Sequence, residues 1–76
     1  MTFTLTLNEL IEKEVLAVQE NREILEYWLT QNAKTKIDAV RKQCMVDNAN
    51  AQITYHQQLV DRLVELRMRL DAEGKL

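Results

Sequence analysis

The chain has 76 residues, with 46% hydrophobic and 29% charged residues, one glycine, no proline and a formal net charge of −2. That length allows one domain with a small core, and the balance is that of a folded or coiled-coil chain rather than a disordered one. The scarcity of turn residues excludes a strand-rich fold, and a pI near 5.3 counts against a dedicated nucleic-acid binder, whose affinity comes largely from neutralising phosphates.

Residues 1–6 alternate polar and apolar, Thr2, Phe3, Thr4, Leu5, Thr6, with the period of a strand. The sequence holds no second strand for them to pair with, so the segment either pairs with its own copy in a partner chain or, the favoured reading, lies extended and packs Phe3 and Leu5 on the helices. A basic flank and a small-residue cleavage site are missing here, which argues against a signal peptide. No apolar run reaches the roughly 18 residues of a membrane span. The single cysteine, Cys44, has no internal disulfide partner and reads as a small buried hydrophobe. Together these features point to a reducing, cytoplasmic setting.

A first helix is predicted over residues 7–31. Thr6 and Glu9 fit a capping box, in which the hydroxyl and the carboxylate satisfy free backbone N–H groups at a helix start. Ile11, Val15, Val18, Leu25 and Leu29 follow 4-3-7-4 spacing, with Arg22 at the missing step, and Trp28 widens this heptad-like stripe. Residues 31–34 carry no large apolar side chain, and Thr35 with Asp38 can open a second helix, predicted over 35–71. Ile37, Val40 and Cys44 start its stripe with an offset; Met45, Ala49, Ile53, His56, Val60, Leu63, Arg67 and Leu70 continue it. Asp47-Asn-Ala-Asn50 favours caps and turns over helix interiors, which allows a kink or short break near 47–50. Residues 72–76 should fray, with Gly74 just past the helix end.

The predicted fold is therefore all-α, a long helical hairpin with a short extended N-terminal segment. Two antiparallel helices bury only the strip between them, and pairing hairpins into a bundle buries more. A helical-bundle homo-oligomer is expected, a dimer in its simplest form. Its interface is assigned to Ile11, Val15, Val18, Leu25, Trp28 and Leu29 of the first helix with Ile53, Val60 and Leu63 of the second.

Chemistry-bearing residues are few. Cys44 and His56 lie about 18 Å apart along one helix and about 120° apart around it, which rules out a Cys–His pair within one chain. No Glu-x-x-His metal pattern occurs, and the stretch from Asp47 fails as a calcium loop, with Gln52 where Gly is needed and Gln58 at the twelfth position where a bidentate Glu is needed. Neither a phosphate loop nor a nucleophile elbow is present. The expectation is a protein that is not an enzyme and needs no cofactor.

The second helix has more varied side chains than the acidic first. Tyr55, His56, Arg62, Arg67 and Arg69 are the candidate partner- or ligand-binding residues, because arginine can grip carboxylates or phosphates with two parallel bonds. The leading functional reading is an interaction protein that inhibits, tethers or stabilises another protein, the general character of small accessory proteins of bacteria and their viruses. A second reading is an oligomer that sequesters a nucleotide-like or other polar metabolite between subunits. The third rests on a resemblance: a strand followed by two helices over residues 1–45 resembles the ribbon-helix-helix repressors. That would imply Thr2, Thr4 and Thr6 facing bases in the major groove. The family's Gly-containing turn and basic strand are absent, and the first helix is longer.

Overall fold

The computed structural model describes residues 6–75. They form two helices, α1 (Leu7–Thr30) and α2 (Lys36–Ala72), packed against each other as an antiparallel hairpin. The expected extended segment lies, apart from Thr6, outside the described residues. The molecule measures 58 × 21 × 16 Å with a radius of gyration of 17.3 Å, against about 11 Å for a compact domain of this length.

Local chemistry sets both helix starts. Thr6 Oγ1 accepts from Glu9 N–H at 3.2 Å, and Thr35 Oγ1 accepts from Asp38 N–H at 3.0 Å. Each hydroxyl satisfies one of the amides that a first turn leaves without a partner. The Glu9 carboxylate meets the Thr6 hydroxyl at 3.4 Å. α1 has no basic residue in its last turn. Lys42 of α2 supplies the cation instead, its Nζ donating to Gln31 O at 2.9 Å and Leu29 O at 3.4 Å. A positive charge on free carbonyls at a helix C-terminus is favourable, and here it also fastens the 31–35 connection.

The tail does not simply fray after Ala72. Gly74 takes φ +71°, Gly74 N–H donates to Asp71 O at 3.0 Å and Lys75 N–H to Leu70 O at 2.8 Å. This is the Schellman arrangement, and glycine suits it because it has no Cβ to clash at positive φ.

No break occurs near 47–50, since α2 runs unbroken through it. Gln43 Nε2 donates to Asp47 Oδ1 at 2.8 Å, Asn48 and Asn50 face solvent, and Ala49 is buried between the helices. With their polar groups occupied or hydrated, these residues do not compete for the helix backbone.

The seam is narrow. On α1, the seam residues are spaced alternately four and three apart, Leu7, Ile11, Glu14, Val18, Asn21, Leu25 and Trp28, with Leu10 and Ala17 half-buried beside them. This corrects the predicted stripe by one step at three points, Glu14 for Val15, Asn21 for Arg22 and Trp28 for Leu29. Glu14 and Asn21 occupy the seam, while Val15, Arg22 and Leu29 lie outside it and exposed. The polar pair is tolerated because each finds a partner, Glu14 across the seam and Asn21 on its own helix, where Nδ2 donates to Ala17 O at 2.8 Å. On α2 the seam runs through Asp38, Lys42, Met45, Ala49, Ile53, His56, Val60, Leu63, Arg67 and Leu70. The spacing repeats four at Ala49, a one-residue shift relative to strict heptads. Ile37, Val40 and Cys44 are exposed, so the thiol is not the buried hydrophobe expected of it.

Only Ile11, Val18, Ala49 and Val60 are buried hydrophobics among the described residues, Ala49 most completely at 1% exposure. A larger side chain there must push the helices apart. Ala49→Leu should destabilise the fold by about 1–3 kcal/mol through overpacking, while Ala51→Leu, on the exposed side, should leave thermal melting nearly unchanged. Thr35→Ala should cost about 1 kcal/mol in the same measurement through loss of the α2 cap.

Candidate functional site

The five candidate binding residues do not form one cluster. They separate by the face of α2 on which helical geometry puts them. His56 lies in the seam, its Nδ1 2.5 Å from Glu14 Oε1, with about one-fifth of each side chain exposed. Arg67 also turns toward α1, where Nη1 donates to Asn8 Oδ1 at 2.8 Å. Both residues tie one helix to the other. Tyr55, Arg62 and Arg69, by contrast, are exposed and stand seven residues apart, which places them on one line along α2. The Tyr55 ring packs edge-on against His56, centroids 5.0 Å apart at 73°. Tyr55, Leu59 and Arg62 line one shallow concavity with Gln58.

The residues predicted to join subunits are largely consumed within the chain. Ile11, Val18 and Val60 are buried in the hairpin seam, and Leu25, Trp28, Ile53 and Leu63 are half-buried there. Trp28 is braced edge-to-face by Tyr27, centroids 5.3 Å apart at 87°. Val15 and Leu29 remain exposed on the outside. The physical reason is proximity: a facing stripe on the same chain is met before any stripe on another.

Outside the seam, the hairpin presents two unlike flanks. In an antiparallel pair, positions that precede the seam residues on one helix adjoin the equivalent positions on the other. The first flank therefore combines Leu10, Ile24 and Tyr27 of α1 with Ile37, Tyr55 and Leu66 of α2, and Ala17, Cys44 and Leu59 lie among them. At the turn end, Trp28 of α1, the connection residues Gln31 and Asn32, and Asp38 and Arg41 of α2 line one cavity of about 170 Å³. The charges on this flank are Lys13, Arg41, Arg62 and Arg69 against Glu20 alone. The second flank carries Val15, Leu29, Val46, Val64 and Met68, with Glu12, Glu26, Asp61 and Asp71 against Arg22 and Lys36. The outer ridges add Glu9, Glu23, Asp47 and Glu65 and no cation. Positive charge is thus concentrated on the more apolar flank of an acidic protein.

Sequence reasoning missed Leu10, Ile24, Ile37 and Leu66 as members of this surface. The signal was there in the seven-residue recurrences Leu10–Ala17–Ile24, Leu59–Leu66 and Tyr55–Arg62–Arg69, all beside the main stripe.

Among the described residues, no group of three or more His, Cys, Asp or Glu side chains is placed to hold a metal ion, and no helix is long and apolar enough to cross a membrane. No family model matches the chain, no curated protein matches it in sequence, and no solved structure matches it in fold.

The Glu14–His56 contact is the one polar pair spanning the middle of the seam, so its two members should be energetically coupled. A double-mutant cycle on Glu14→Ala and His56→Ala, followed by chemical denaturation, should give a coupling of about 0.5–3 kcal/mol. Coupling near zero would mean the pair merely coexists in the seam.

Proposed function

We propose that this chain is a non-enzymatic helical protein that self-associates and binds another protein to inhibit, tether or stabilise it, in a cytoplasmic setting. The observation that carries the reading is surplus surface. The chain exposes 6075 Å², where a compact monomer of 8.9 kDa exposes about 4,800 Å². The excess, about 1,300 Å², is more than the roughly 800 Å² that one partner contributes to a standard protein–protein interface. It is also apolar in character, with Leu16, Tyr27, Leu29, Ile37, Val40, Tyr55 and Met68 all more than half exposed. Large apolar patches on a small soluble protein mark interaction surfaces.

The second flank suits contact between copies. Its charge is the less one-sided of the two flanks, four carboxylates against two cations, and Val15 and Leu29 of the expected interface lie on it. The exposed, unpaired thiol of Cys44 suits a reducing compartment.

Sedimentation equilibrium at micromolar concentration should give a mass of at least twice 8.9 kDa. A stable, folded monomer under those conditions would sink the self-association half of the proposal. Val15→Glu with Leu29→Glu should shift the mass toward the monomer if the second flank is the contact.

A further inference from the structure

From the polarity of the two flanks we infer that the first flank is the docking surface for an acidic amphipathic helix of another protein. The inference rests on the interaction-protein reading and specifies the partner's chemistry. Three observations meet on this flank. Its apolar residues recur on both helices, interrupted on α2 by Asn48 and Gln52, with Tyr55 and Ile37 57% and 72% exposed. The groove between two helices is the shape that receives a third helix by its apolar side, anchored at every third or fourth residue. Its rim is basic, with Lys13, Arg41, Arg62 and Arg69 against Glu20, in a chain whose net charge is −2.

The sign of that rim decides between occupants. Two copies meeting through this flank would bring together eight cations and two carboxylates, and like charges across an interface select against a partner. An acidic helix is favoured instead, its Leu or Phe residues on the groove and its Glu or Asp residues on the rim. Three of the four cations are arginines, whose planar fork matches a carboxylate with two parallel bonds. A lipid surface fits less well. Anionic bilayers are recognised by dense clusters of about four to eight Lys or Arg, whereas these four are spread along a body 58 Å long.

The test uses the full chain and a synthetic 18-residue helical peptide with leucines on one side and glutamates beside them. A second peptide has lysine at every glutamate, and vesicles containing phosphatidylserine serve as the lipid probe. The glutamate peptide should bind with a Kd in the micromolar range, more weakly as salt rises, and the lysine peptide and the vesicles should not bind. Lys13→Glu with Arg62→Glu should weaken the glutamate peptide by roughly tenfold or more, with the melting temperature and the sedimentation mass unchanged. Tyr55→Ala should weaken it as well, independently of charge. Equal binding of both peptides, or binding of the vesicles in place of the glutamate peptide, overturns the proposal. So does a double variant that loses mass in sedimentation yet binds the peptide as before, since the flank would then join copies. A chain that sediments as a monomer but binds the glutamate peptide selectively leaves this inference standing while the self-association reading fails.

Discussion

Two helices laid side by side have one seam, and in this protein most of what is distinctive follows from how little that seam can hold. A helix in a larger domain is covered on several sides, whereas each helix here is covered on one. The seam accepts a single file of side chains from each partner, and part of that file is polar: Glu14, Asn21, Asp38, Lys42, His56 and Arg67. Glu14, Asn21, Lys42, His56 and Arg67 stay because they find partners across the seam or on the local backbone. An unpartnered polar group in the same place would cost on the order of 1–3 kcal/mol. The arrangement trades hydrophobic burial for alignment. Apolar stripes alone can slide past each other by a turn, but a histidine paired with a glutamate and a lysine hooked over the end of α1 have one register in which both are satisfied.

This explains which features were legible in the sequence and which were not. Helix starts are local chemistry, so the threonines that cap α1 and α2 could be recognised from a few neighbouring residues. The seam of α2 from Met45 onward could also be read, because its large apolar residues dominate their neighbours. On α1 the reading slipped between Val15 and Glu14, between Arg22 and Asn21, and between Leu29 and Trp28. Hydrophobicity alone prefers valine to glutamate at a core position, and only the position of His56, 42 residues away, reverses that preference. The smooth passage of α2 through Asp47–Asn50 was hidden for a related reason. Asparagine and aspartate favour turns by local propensity, but burial of Ala49 in the seam outweighs it.

The candidate surface shows the same division. Tyr55, Arg62 and Arg69 stood out as chemically varied residues on a helix. Sequence spacing placed them on one line, yet their apolar neighbours on α1 became part of the same surface only once the direction and register of the pairing were known. His56 and Arg67 stood out equally and proved to be seam residues. Chemical variety marks a side chain that needs a partner without saying whether the partner lies in the same chain. Concentration of cations on one flank is likewise invisible in the sequence totals, where the acidic ridges outweigh it.

The shift of one residue at Ala49 bears on the shape of that flank. An ordinary two-stranded coil completes a turn in about 150 Å, so over a body 58 Å long a flank would wind more than a third of the way round. A strict seven-residue repeat enforces that winding. Inserting an extra step lets the helix follow its own natural pitch, and the coil locally unwinds. With the shift near the middle of the hairpin, the line from Ile37 through Tyr55 to Arg69 stays closer to straight. A rigid rod laid along it can then keep contact from one end to the other, where a wound surface would meet it only at a crossing.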